Sequence, residues 1–152
     1  MLGADKPLLW QHAVRVIRSI FSKEPWVHRR RQSASVDISL YQTRLSERLG
    51  GPTGDRRNLM MRLPEWIRSN RSYLIACLRG LFEAEGSYSV HAPTYTHNLS
   101  FSNRNLTLLD EVEGALRCLG FHPERRSYAV RLRKKHEAVH FIELIGFRRY
   151  NS

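Results

Sequence analysis

A chain of 152 residues with 41% hydrophobic side chains can bury a core as one domain, or one domain with a partial second unit, without disulfide or metal staples. Its 25 lysines and arginines against 14 acidic residues give a formal charge of +11, which points to polyanionic partners, nucleic acid first and anionic membrane second. No run approaches ~18 continuous apolar residues, which makes the membrane reading the weak one. Cys77 and Cys118 are too few for a four-ligand zinc site and read as small core residues.

In chain order, Met1–Lys6 lacks the charged and apolar regions of a signal peptide, and an intracellular protein is expected. Leu8–Phe21 reads as an amphipathic helix: Leu9, Ala13, Val16, Ile17 and Ile20 share one face and Pro25 ends the segment. Trp26–Arg31 reads as a strand running into Arg29-Arg30-Arg31. Ser35–Leu40 alternates, with Val36, Ile38 and Leu40 inward and Ser35, Asp37 and Ser39 outward. Thr43–Leu49 reads as a short helix ended by Gly50-Gly51-Pro52, and a Gly- and Arg-rich connector runs to Arg62.

Leu63–Ile67 is an apolar plug before a long helix from about Arg71 to Glu85. On that helix Ala76, Gly80 and Ala84 form a stripe that lets a second helix backbone approach. Gly86 is expected to stop the helix in left-handed geometry. Strands follow near Ser87–His91 and Tyr95–Asn103, then a helix over Leu106–Leu119 closed by Gly120. Arg125–Ser127 and Tyr128–Arg133 form another strand pair, and His136–Ile145 a last helix ended by Gly146. Residues 1–62 thus read as αββα and residues 63–152 as αββαββα. Arg117–Phe121 parallels Arg18–Phe21, and Glu143–Gly146 parallels Glu47–Gly50, so the first part resembles the last four elements of the second.

The alternation divides the sheet into an apolar face that packs under helices and a polar face. The polar set is Ser87, Ser89, His91, Thr96, Asn98, Ser100, Ser102, Arg131 and Arg133, with Arg125 or Arg126. Such side chains at two-residue intervals suit base-edge and phosphate contacts in a DNA groove. Glu83 and Glu85 stand at the negative end of the helix dipole, where a cation relieves their repulsion. Mg²⁺ binds one or two carboxylates together with water and phosphate oxygens, the arrangement of metal-assisted phosphodiester hydrolysis. Arg133 and Lys134 can stabilise transition-state charge; Lys135 reads more simply as a solvated helix start.

Leu78-Arg79-Gly80-Leu81-Phe82-Glu83-Ala84-Glu85-Gly86 matches the nine-residue signature of the LAGLIDADG homing endonucleases. Leu63–Ile67, Leu119-Gly120-Phe121 and Leu144–Phe147 are also similar to family segments, and the resemblance spans roughly Leu8 to Arg148. It implies an α+β fold with a saddle-shaped antiparallel sheet astride double-stranded DNA. It also implies two signature helices packed together, each delivering one acid. Residue by residue, it implies Glu85 as the acid that binds Mg²⁺ or Mn²⁺, the Ala84 carbonyl as a second ligand, Asn105 as a water-positioning residue, and Arg133 or Lys134 as the basic residue. Residues 1–62 then correspond to a partial, N-terminally shortened repeat and 63–152 to a complete one. With one full signature, either two chains pair through Ala76, Gly80 and Ala84, or the chain is a shortened two-repeat enzyme. Three readings stand at this point. One is an intron- or intein-derived endonuclease. Another is a non-cleaving relative that regulates transcription or assists intron RNA as a maturase. The last is a basic interaction domain whose helix stripe is an oligomer contact.

Overall fold

The computed structural model describes residues 2–3, 7–29, 35–44, 47 and 59–148. The chain divides into two compact units, Met1–Arg48 with Arg148–Ser152, and Leu49–Phe147.

In the first unit, β1 (Leu2–Gly3), α1 (Pro7–Phe21), β2 (Trp26–Arg29) and β3 (Ser35–Ser39) follow one another, and the antiparallel sheet has the order β1-β3-β2. Leu9, Val14 and Val36 are buried, but Val16 and Ile20, expected inward, are exposed. The reason is length: a 15-residue helix outreaches strands of two to five residues. β1 has no periodic signal of its own. Its Gly3 pairs with Ser35, which is buried rather than outward. The helix expected over Thr43–Leu49, and Arg30 and Arg31 of the expected strand, fall largely outside the described residues.

The second unit runs α2 (Glu65–Arg68), α3 (Arg71–Glu85), β4 (Gly86–His91), a 3-10 turn (Ala92–Thr94), β5 (Thr96–Ser102), α4 (Leu106–Cys118), β6 (Glu124–Arg126), β7 (Ala129–Leu132) and α5 (Lys135–Ile145). Its sheet is antiparallel throughout, ordered β4-β5-β7-β6. The whole is an α+β fold. Leu99, Phe101, Val130 and Leu132 send the apolar sheet face against Leu74, Leu78 and Phe82 of α3, Leu109, Val112 and Leu116 of α4, and Ala138, Phe141 and Ile145 of α5. Phe82 is central, with ring centroids 4.5 Å from Phe141 and 5.5 Å from Phe101. The connector joins this unit: Met61 N donates to Thr107 Oγ1 at 2.9 Å and Leu63 N to Glu111 Oε2 at 3.1 Å.

α3 begins where Asn70 Oδ1 accepts from Ser72 N and Tyr73 N. Its end differs from expectation. Gly86 is extended (φ −81°, ψ 151°), not left-handed, so the helix passes straight into β4 with no turn residue between. Glycine is required by space: a Cβ there would lie 2.4 Å from the Phe82 carbonyl oxygen. Gly146 does end α5 in the left-handed region, at φ 70°. Cys77 is half-buried, and burial pushes its thiol pKa up. Cys118 is exposed rather than a core residue.

Candidate nucleic-acid interface

The abrupt α3-to-β4 junction places Glu85 as the last helical residue, one position before the strand whose polar side carries Ser87, Ser89 and His91. Glu85 is exposed, and Asn103 Nδ2 donates to its Oε2 at 2.5 Å. Asn103 follows β5, and its own Oδ1 accepts from Asn105 N at 2.7 Å. The carboxylate is thereby tied to the start of α4.

Asn105 does not occupy the water-positioning place expected of it. It is buried and caps α4: Oδ1 accepts from Leu108 N at 3.0 Å and Thr107 Oγ1 at 2.8 Å, while Nδ2 donates to the Leu59 carbonyl at 2.8 Å. Those bonds commit its amide to structure. Asn103, two residues earlier, faces the acid instead. The sequence signal was present in Asn103-Arg104-Asn105-Leu106, where the asparagine next to a helix start is the natural cap and the earlier one is spare.

The ladders place Ser87, Ser89, His91, Thr96, Asn98, Ser100, Ser102, Arg126 and Arg131 on one face of the sheet. Cross-strand pairs put Ser87 opposite Ser100, Ser89 opposite Asn98 and His91 opposite Thr96. Ser87 and Ser100 share a 2.8 Å hydroxyl bond, and Ser100 is buried under its neighbours. His91 Nδ1, Thr94 Oγ1 and Thr96 Oγ1 form a chain of 2.8 Å bonds at the hairpin tip. Ser100 faces Arg131, which faces Glu124, and Ser102 faces Ala129, which faces Arg126. Arg126 and Arg133 both approach Glu124, the latter at 3.9 Å.

Arg125 is not on that face. It pairs with core-facing Val130, so its guanidinium lies on the helix side of the sheet. There it donates to Asp110 Oδ1 at 3.1 Å and stands 3.7 Å from Glu113. Alternation along a three-residue strand leaves only one of two adjacent arginines for the polar face, and that one is Arg126.

Lys134 caps α5 by position, and its Nζ stands 3.6 Å from the Glu137 carboxylate. Glu137 is buried and also accepts from His122 N and Nδ1, each at 3.0 Å. Burial alone would raise its pKa, but the His122 bonds and Lys134 hold the carboxyl below the usual range. Lys134 thus meets Glu137, and Arg133 meets Glu124; each has a carboxylate partner other than Glu85.

No group of three His, Cys, Asp or Glu side chains gathers into a metal site among the described residues. The donors at the α3 end are nonetheless suitable. The Glu85 carboxylate and the Ala84 carbonyl in the last helical turn are hard oxygens at the negative end of the dipole. They fit an ion such as Mg²⁺ or Mn²⁺ that completes its shell with water and phosphate. On the same helix Ala76, Gly80 and Ala84 are exposed, and nothing lies within 4 Å of where a Gly80 Cβ would stand. Among the described residues no helix is long and apolar enough to cross a membrane.

Residues 72–151 match the family described as LAGLIDADG-like domain. No curated protein and no solved structure matches the chain.

Proposed function

The chain belongs to the LAGLIDADG-like domain family, and from that premise we propose that it binds double-stranded DNA on the polar face of the β4-β5-β7-β6 sheet and hydrolyses a phosphodiester bond beside Glu85. The observation that carries this is the Asn103–Glu85 bond, which orients an exposed carboxylate at the edge of that face. Ser87, Ser89, Asn98 and Arg131 supply hydrogen-bonding groups for base edges, and Arg126 and Arg133 supply charge for phosphates. Glu85 and the Ala84 carbonyl hold Mg²⁺ or Mn²⁺; when bound, the ion supplies Lewis-acid polarisation at the scissile phosphate. Asn103 keeps Glu85 from swinging away, and its tie to the α4 start makes the position rigid.

The exposed Ala76-Gly80-Ala84 stripe supports a pairing of two chains, which would bring two such acids together for a double-strand cut. The experiment is incubation of the native chain and Glu85→Gln with a long target-site library and Mg²⁺ or Mn²⁺. Cleavage by the native chain only is expected; equal cutting by both removes Glu85 from the role.

The second reading is a binder that does not cut, either a DNA regulator or an intron RNA maturase. Its support is that, among the described residues, no three His, Cys, Asp or Glu side chains gather around Glu85. Tight, steeply salt-dependent binding without cleavage favours it.

A further inference from the structure

The first unit carries on its sheet a surface chemically unlike the polar face of the second. Trp26 and His28 alternate along β2, so both project to one side. Their rings are stacked, with centroids 5.0 Å apart and planes within 3° of parallel. The side is the one away from α1. Arg29, of opposite parity, has its guanidinium over the α1 residue Trp10, 5.7 Å from the ring centroid.

Among the described residues of the first unit nothing covers the stack: Trp26 is 63% exposed and His28 is exposed as well. An indole is normally highly buried, and leaving it in water forgoes the stabilisation its area would supply. The other exposed pair, Trp66 with Tyr73 in the second unit, meets edge to face at 75° and offers no common stack.

The surroundings favour an anionic ligand with planar groups. Residues 1–48 hold nine lysines and arginines against four acids, and Arg29-Arg30-Arg31 follows the stack directly in sequence. Asp37 lies opposite His28 in the ladder and Ser39 opposite Trp26. A carboxylate beside His28 repels phosphate locally, leaving a neutral ring as the moiety that fits against the stack, while basic residues elsewhere in the unit attract the backbone. Aromatic faces beside positive charge are the means by which single strands are held, because every base has a π-face. Paired bases cannot offer theirs.

We propose that Trp26 and His28 form a stacking platform for unpaired nucleobases, of RNA or of single-stranded DNA. The platform lies apart from Glu85 in sequence and does not depend on the cleavage reading.

Fluorescence anisotropy of the full chain tests it. The probes are end-labelled short oligo-uridine, oligo-thymidine, an abasic strand of equal length and a duplex of equal length. Trp26→Ala should lose about 10-fold in affinity for both base-bearing single strands, the loss expected on removing one base–aromatic stack. It should bind the duplex unchanged. Trp26→Phe should stay within about 3-fold of native, and Trp66→Ala should match native. The native chain should bind the abasic strand no better than Trp26→Ala does. Circular dichroism of each variant checks folding, and the conservative Phe variant keeps the test valid if Ala perturbs the strand. Equal affinity for uridine and thymidine strands identifies any unpaired strand as the ligand; preference for uridine identifies RNA, and both uphold the platform. Equal losses on single strand and duplex overturn it, as does no loss on either. Tight abasic binding overturns it too, and so does a Trp26→Ala change in solution mass, which would make the stack a contact between copies. Loss of cleavage in Glu85→Gln with unchanged single-strand binding separates the two sites.

Discussion

The two units share a strand order but not a core. β1-β3-β2 in the first has the neighbour relations of β5-β7-β6 in the second, with α1 preceding its strand pair as α4 precedes β6 and β7. We read the first unit as a shorter copy of the last elements of the second. The second buries 18 apolar residues in one cluster, whereas the described part of the first buries Leu9, Val14 and Val36. The same connectivity therefore carries two very different amounts of buried apolar surface. One unit has the apolar area to pack a helix end against a sheet. The other leaves aromatic surface in water. The comparison teaches that topology alone does not set the size of a core; the number of apolar side chains that converge on one place, here Phe82, does.

Removing that convergence should have the largest effect. Phe82→Ala should cost about 3–5 kcal/mol in urea unfolding of the second unit. Val36→Ala should affect only the first. A single transition lost together in both variants would show that the units do not unfold separately. Next in size is Gly86→Ala, which forces a Cβ to 2.4 Å from the Phe82 carbonyl oxygen. The expected cost is about 1–3 kcal/mol, read in the same unfolding series. Helix C-terminal glycines in left-handed geometry fail for a different reason, backbone strain; here the nearest obstacle is the Phe82 backbone itself, so a smaller side chain at position 82 should not rescue Gly86→Ala.

Asn105 and Asn103 should then part company. Asn105→Ala should destabilise by about 0.5–2 kcal/mol through loss of the α4 cap. Asn103→Ala should change the melting temperature little but weaken apparent metal affinity in the cleavage assay by about 10- to 100-fold. Reversed outcomes would return the positioning role to Asn105.

The smallest effect is acid sensitivity. Glu137 has a folded pKa below its unfolded value of about 4.3, so its contribution is present above that pH and is lost as pH falls through the folded pKa. Glu137→Gln should be less stable than native at neutral pH. It should also show a shallower stability loss below about pH 4.3. An unchanged acid limb would remove the His122–Glu137–Lys134 group from that role.

Much of the second unit could be read from the chain because its signals are local. Leu74, Leu78 and Phe82 recur at helical spacing, and Thr96 to Ser102 alternates over a full strand, so α3 and β5 lie where periodicity places them. What escaped depends on contacts between distant segments. β1 exists only because β3 offers an edge to Gly3 and Leu2. Arg125 and Arg126 are indistinguishable by composition, and pairing with Val130 or Ala129 decides which face each takes. Glu85 was recognisable from the signature, but its partner Asn103 depends on how β5 runs out beside the helix end. The Trp26–His28 stack was hidden because two rings two residues apart look like ordinary strand propensity.

The most direct test of the central claim replaces Mg²⁺ by Fe²⁺ in the complex with binding-selected DNA and generates hydroxyl radicals with ascorbate. Backbone scission of the protein should concentrate around Ala84–Gly86 and Asn103, and should vanish in Glu85→Gln while DNA binding persists. Scission elsewhere, or an unchanged pattern in Glu85→Gln, would contradict a divalent ion held at the end of α3.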